Sequence, residues 1–371
     1  MNQLTSNIKR MPVNTWNWLG VNNREIILYS RKNADTVKCK DCAASAYMHM
    51  LEHNFDEFKL NEDFKDFFTN EEVRLFISEN KNKCRYFRIP KGHNEDIPVI
   101  LSYHMGKDSV LMDDIIIEAE DESSCTFILK YTSEEGSPVH HCGRTRIFAG
   151  KNSNVKIIKV QLMSKEATHT DITAGIAENG AQIHVILTEM GAADTVSSCN
   201  LILKGDESEA DLDILYLGDG TRSVDISSRA EHRGRKSVSN IRARGVLLGQ
   251  SKKIFRDTID FISGSSGSKG REEETVLMLE PGVINLSVPI LLCGEDDVEG
   301  EHAATSGRPD DKLMFYLMSR GLSEQEAKKL LAEAAFSSVL QAVPDISLQD
   351  EILEILQKSI LKGGKNICTI M

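Results

Sequence analysis

Long apolar runs are missing from this 371-residue chain, and none approaches the roughly 18 residues that a membrane-spanning helix needs. No early stretch combines a charged start, an apolar centre and a small-residue cleavage site, so a cytoplasmic protein is expected. Positive charge is in deficit, with 44 Lys and Arg against 56 Asp and Glu and a net charge of -12. That balance opposes nonspecific binding to nucleic acid or to an anionic membrane, whose phosphates require clustered cations. Cysteine is thin: Cys39, Cys42, Cys84, Cys125, Cys142, Cys199, Cys293 and Cys368 lack the density of a disulfide-stapled secreted domain and are expected to be reduced thiols. Aromatic residues make up 6% of the chain, few for stacking sugars. The Walker A loop is absent too. The Gly-Lys pairs at Gly106-Lys107, Gly150-Lys151 and Gly364-Lys365 have no glycine at the required distance before them and no Ser or Thr after, so any ATP-driven step must come from a partner. The stretch from Gly264 to Gly270 also lacks that spacing and reads as a loop between strands.

What is present is a change of period along the chain. Over residues 1–96 helical signals dominate: Ala43 to Leu51 carries helix formers, and Asn70-Glu71-Glu72 before Val73, Leu75, Phe76 and Ile77 resembles an N-cap followed by acidic first-turn residues. Over residues 97–307 short apolar or alternating runs take over, among them Val110 to Ile117, Val155 to Met163, Leu212 to Leu217 and Ile254 to Ile262. Strand signals recur there about every 12 to 15 residues with no long helix between them. Either an antiparallel sandwich or a parallel β-helix satisfies that spacing; the scarcity of Asn-Gly and Asp-Gly hairpin doublets favours the second.

Residues 308–371 return to helical patterning. Ser323 and Glu326 make a capping box, and Ala327, Leu330, Leu331 and Ala334 fall on one face. A second helix is predicted with Ser347 as its cap, a stripe of Ile352, Ile355, Leu356 and Ile360, and a stop at Gly363-Gly364.

Two soft-ligand clusters stand out. Cys39 and Cys42 form an isolated CxxC with no second pair at zinc-ribbon distance, so a structural role is expected. His140-His141-Cys142 has the donors for iron or zinc, yet neighbours on a strand point to opposite faces and do not share one metal.

The most informative tract runs from Val288 to Leu340. Its blocks Asp296-Asp297-Val298, Glu301-His302-Ala303-Ala304-Thr305-Ser306-Gly307-Arg308, Phe315-Tyr316-Leu317 and Ser319-Arg320-Gly321-Leu322 follow Arg229-Ala230-Glu231-His232-Arg233-Gly234, Gly245-Val246-Leu247-Leu248 and Phe255-Arg256-Asp257-Thr258-Ile259-Asp260 upstream. Together they resemble the SufB/SufD family, scaffold subunits on which iron-sulfur clusters are built. The resemblance implies a mainly β fold, a right-handed parallel β-helix core with α-helical N- and C-terminal regions, the helices covering the two ends of the stack. It also implies a noncatalytic, SufD-like subunit that pairs with a SufB-like protein and binds the ABC-type ATPase SufC through its C-terminal helices, at Phe315, Tyr316, Ser319, Arg320 and Gly321.

In that reading His302 is the cluster-assembly residue, with Glu301 beside it offering a hard oxygen to a ferrous ion. Cys293, within an apolar run, is expected to be packed in a strand and is retained as a candidate metal or sulfur ligand. The cluster would be transient and shared with the partner; whether flavin binds is left open. Departures from the family's pattern point the same way. The essential SufB cysteine has no counterpart between Ser268 and Val276, Ala303 replaces a SufB glutamate, and Gly300 stands where many SufD proteins have cysteine. Two other readings remain: a self-pairing scaffold of a reduced system, and a β-helix carbohydrate-active enzyme using Asp296 and Asp297 as paired carboxylates.

Overall fold

The computed structural model describes residues 3–9, 11–14, 17–30, 37–42, 49–51 and 71–363. A hairpin of β1 (Gln3–Lys9) and β2 (Asn23–Tyr29) is followed by β3 (Val37–Cys42), β4 (His49–Leu51), α1 (Glu71–Asn80) and β5 (Lys83–Ile89). One sheet of the stack then takes β6 (Val99–Met105), β8 (Ser124–Ser133), β10 (Asn154–Leu162), β12 (Gln182–Glu189), β14 (Glu209–Gly218), β16 (Val238–Leu247), β18 (Ser268–Met278) and β20 (Val298–Gly307). The other takes β7 (Val110–Ala119), β9 (His140–Ala149), β11 (Thr168–Ala177), β13 (Asp194–Leu203), β15 (Ser223–His232), β17 (Lys252–Phe261) and β19 (Ile284–Cys293). Helices α2 (Asp311–Ser319), α3 (Glu324–Leu340) and α4 (Ile346–Gly363) close the chain.

This is a parallel β-solenoid with two strands per coil, so the strand spacing in the sequence is half a coil. Neighbours in a sheet lie from 26 residues apart (Thr168 beside Asp194) to 32 (Lys252 beside Ile284). Because the coils stack in register, side chains of one parity line the lumen along each sheet. Ile117, Phe127, Ile157, Leu187, Ile214 and Phe255 belong to that shared core. Its close packing depends on Gly245, where an added Cβ would stand 2.0 Å from the Tyr216 ring.

The coils turn at a short repeated corner. Ser109, Ser123, Ser153, Ser208 and Ser237 each donate a side-chain hydrogen bond to the carbonyl three residues earlier, and the residue before each has a positive φ of 53° to 60°. Gly106-Lys107 and Gly150-Lys151 open two of these corners.

The N-terminal region differs from the helical expectation. Among its described residues are five strands and one α-helix. Residues 43–48 and Asn70 lie outside the described residues, while His49 to Leu51 form a strand. The reason is the sheet edge: antiparallel β3 and β4 supply partners for the hydrogen-bonding groups of β6 and β5. Helix α1 is as expected, with Glu71 and Glu72 in its first turn and Val73 and Ile77 buried.

Among the described residues the terminal helices do not close the ends of the stack; together with the β1–β2 hairpin they cover its flanks. The outward rows are apolar as well, and a two-sided hydrophobic sheet must be covered on both faces. Ile158, Ile186, Leu215 and Val246 are buried under Phe336, Val339, Leu340, Ile352 and Leu356, whereas Met112, Ile172 and Val196 are buried under Ile8, Ile26, Leu28, Val73 and Ile77. Burying a side chain such as Phe336 contributes about 1.5–3 kcal/mol. That anchoring sets the rotation of α3, so Leu330 and Ala334 of the predicted stripe are exposed while Ala327 is buried. The capping box of Ser323 and Glu326 is present. Asp345, not Ser347, caps α4 by accepting from the Leu348 amide at 3.2 Å; Gly363 ends the helix and Gly364 is not among the described residues.

Candidate functional site

His302 lies on β20, the last strand of its sheet. Nothing among the described residues pairs with the free edge of β20 or of β19, so the solenoid ends in two open ten-residue strands. Residues Glu299 to Ser306 are all exposed. Register orients the site. Gly270, Glu272, Glu274 and Val276 of β18 face the lumen and are buried; Gly300, His302, Ala304 and Ser306 stand beside them. His302 therefore occupies the lumen-facing row at the mouth, next to Glu272, while Glu301 takes the outward row, its carboxylate 4.0 Å from Arg271 Nε.

Cys293 is exposed at the end of β19, correcting the expectation that it is packed away. The edge position explains this, since no further coil covers it. Asp296 and Asp297 belong to the turn between β19 and β20, where Asp297 accepts from the Ser266 hydroxyl at 2.7 Å. Glu295 and Asp297 thereby tie down the Gly264–Gly267 corner of the coil before; Ser268 to Gly270 of the expected loop are already the start of β18.

Beyond the mouth, α2 is apolar yet has no buried residue. Asp310 caps it, accepting from the Lys312 and Leu313 amides at 2.7 and 3.0 Å. Gly321, at φ 98°, ends it with a turn that returns the Gly321 and Leu322 amides to the Met318 and Leu317 carbonyls. Ser319 donates to the Tyr316 carbonyl, and Arg320 stacks its guanidinium 5.2 Å from the Tyr316 ring centre. Phe315 is 74% exposed and Tyr316 52%. The sequence motif thus folds into a capped helix that presents exposed side chains.

The two soft-ligand clusters are separated by the strand geometry. Cys39 is half-buried on β3 against the core, and Cys42 ends the same strand. His141 faces the lumen, while Cys142 is buried beneath the N-terminal hairpin and His140 stacks on Tyr29 at 3.7 Å. Burial pushes the Cys142 thiol up, away from thiolate chemistry.

Sequence reasoning missed a polar network inside the lumen. His141 Nε2 meets Asp113 at 2.6 Å and its Nδ1 meets His169 Nδ1 at 2.7 Å; Tyr131 donates to Asp113, and Lys159 reaches Asp171 at 2.5 and 2.7 Å. Burial, then the neighbouring His141 and Lys159 side chains, hold His169 well below its ordinary range, hence neutral. Glu189, 3.6 Å from His169, is raised by burial and by Asp171 to about 8. The signal in the sequence was weak, because these residues come from separate coils.

Glu189 yields a pH prediction. Its folded value lies above the ordinary 4.5, so the stability it carries is full below pH 4.5 and is lost as pH rises through 8. Glu189→Gln is expected to be nearly neutral at pH 5 and more stable than the parent by ~2–4 kcal/mol above pH 8. Urea denaturation at both pH values checks it, and equal effects at the two would refute the assignment.

Residues 102–335 match the family model for the SufBD core domain of the SUF system for iron-sulfur cluster assembly. The chain belongs to the SufBD family. It is 28% identical over 283 residues to the iron-sulfur cluster assembly protein SufD of Bacillus subtilis, covering 75% of this chain and 64% of that protein. A SufBD family protein of Mycobacterium leprae is 21% identical over 265 residues, 70% of this chain and 30% of its own. One from Staphylococcus haemolyticus is 20% identical over 266 residues, 70% and 56% respectively. The match thus spans less than two thirds of each of these SufBD proteins. Membership leaves the carbohydrate-enzyme reading without support. No helix among the described residues is long and apolar enough to cross a membrane.

Proposed function

We propose that this chain is a SufD-like scaffold subunit that pairs through its open end with a SufB-like protein and is driven by the ABC-type ATPase SufC. The observation that carries the reading is the pair of free edges, β19 and β20, with His302 on one of them. An unprotected ten-residue edge is a template for strand pairing, and neither lysine nor proline interrupts β20. Pairing there brings a partner's thiol to the His302 imidazole, which serves as a nitrogen ligand for iron or takes the proton from a thiol. Iron and sulfide are the cargo, and the growing cluster is shared across the seam. Glu301 and Cys293 flank the seam as secondary ligands.

Residues 308–371 form the docking region for the ATPase, with Phe315 and Tyr316 as anchors. Large aromatic side chains held exposed on a capped helix are what hot spots are made of. ATP binding then drives the movement of one solenoid against the other, provided the closed ATPase pair binds one arrangement more tightly.

Coexpression with a SufB-like protein and its ATPase tests the reading. The three are expected to copurify; a stable dimer of this chain alone would favour the self-pairing scaffold instead. Replacing Phe315 and Tyr316 together by Asp is expected to weaken ATPase capture about thirtyfold, or ~2 kcal/mol, with no loss of thermal stability because neither side chain is buried. Unchanged capture would remove α2 from the interface.

A further inference from the structure

The lumen beneath His302 carries an unbalanced charge that the scaffold reading does not use. Lys253, Asp257, Glu272 and Glu274 are buried there, three carboxyl groups against one ammonium. Lys253 is already engaged: its Nζ meets Glu274 at 2.5 Å and Ser287 Oγ at 2.9 Å, and Tyr216 donates to the same Glu274 oxygen. Asp257 and Glu272 are left without a cation. Asp257 Oδ1 accepts from Ser228 at 2.7 Å and from the Thr258 amide, but its Oδ2 is buried with no hydrogen-bond partner. Glu272, 3% exposed, has no hydrogen bond or ion pair among the described residues. Buried carboxylates are paired, protonated or bound to metal.

We propose that Asp257 and Glu272 hold a hard divalent cation, ferrous iron in the working protein, in the last covered coil of the solenoid, from which His302 on the next strand receives it. The proposal rests on the scaffold reading only for the identity of the ion. Register places His302 beside Glu272 and Pro289 beside Asp257, so both carboxylates lie directly beneath the open coil. Adjacent strands are about 4.8 Å apart, which makes the step from carboxylate to imidazole one strand long. Among the described residues no three His, Cys, Asp or Glu side chains form a ready ligand set. The two carboxylates accordingly supply part of a shell of oxygens, the donor that hard divalent cations take.

Anaerobic titration of the full chain with Mn²⁺, an oxygen-seeking ion visible by electron paramagnetic resonance, tests this. The wild type is expected to take up one ion, and Asp257→Asn/Glu272→Gln to bind at least tenfold more weakly. Thermal melting verifies that the variants fold, and Glu272→Gln alone serves if the double variant does not. No uptake by the wild type, or equal uptake by the carboxamide variants, overturns the site. Neither result touches the scaffold reading, which stands or falls on copurification with the ATPase and on the His302-dependent cluster signal.

Discussion

Lys159→Met is expected to lower the free energy of unfolding by about 3–5 kcal/mol, although the replacement has nearly the same length and suits an apolar core. The loss comes from what is left behind. The Lys159 ammonium reaches both oxygens of Asp171 and the hydroxyls of Thr145 and Thr173, at 2.5 to 3.2 Å, with the lysine and aspartate side chains 5% and 1% exposed. Without the ammonium, Asp171 is a buried carboxylate with hydroxyl donors only, and an uncompensated buried charge costs several kcal/mol. The companion change Asp171→Leu removes that charge, so the double variant should recover most of the loss. Chemical denaturation of parent, single and double variants completes the cycle. A single variant within 1 kcal/mol of the parent would show that the network is better solvated than its burial indicates.

The second large effect concerns chemistry. In a complex reconstituted anaerobically with iron and sulfide, His302→Ala is expected to reduce the visible cluster absorbance at least tenfold, equivalent to about 1.4 kcal/mol or more of cluster binding. The side chain is exposed on the edge strand and touches nothing that holds the fold, so the variant should copurify and melt like the parent. The isolated chain should show little absorbance with or without the histidine, because one imidazole and one neighbouring carboxylate do not complete the coordination of a cluster. A strong cluster on the lone chain, or an undiminished signal from the variant complex, would end the assignment.

Much of this was legible before any coordinates. The apolar runs from Val110 to Ile262 are strands because their period is two and their ends carry turn residues. The Ser323 capping box and the Ile352, Leu356 and Ile360 stripe are local features, read correctly because a helix decides its cap and its face within a few residues. The serine corners were overlooked, though their pattern recurs openly at Ser109, Ser123, Ser153, Ser208 and Ser237. The face of α3 was misread because Phe336 and Val339, bound to strands far away in the sequence, set its rotation.

By itself, the order of residues determined the strand period, the terminal helices and the motif that carries His302, since each depends on neighbours close along the chain. Tertiary structure alone decided which side chains meet inside the lumen, that the helices cover flanks and, among the described residues, leave one end open, and that Glu272 lies beside His302. Those relations join residues 26 to 32 positions apart, coil upon coil. No local preference encodes them: they arise when stacked strands hydrogen-bond in register and pack both faces of each sheet.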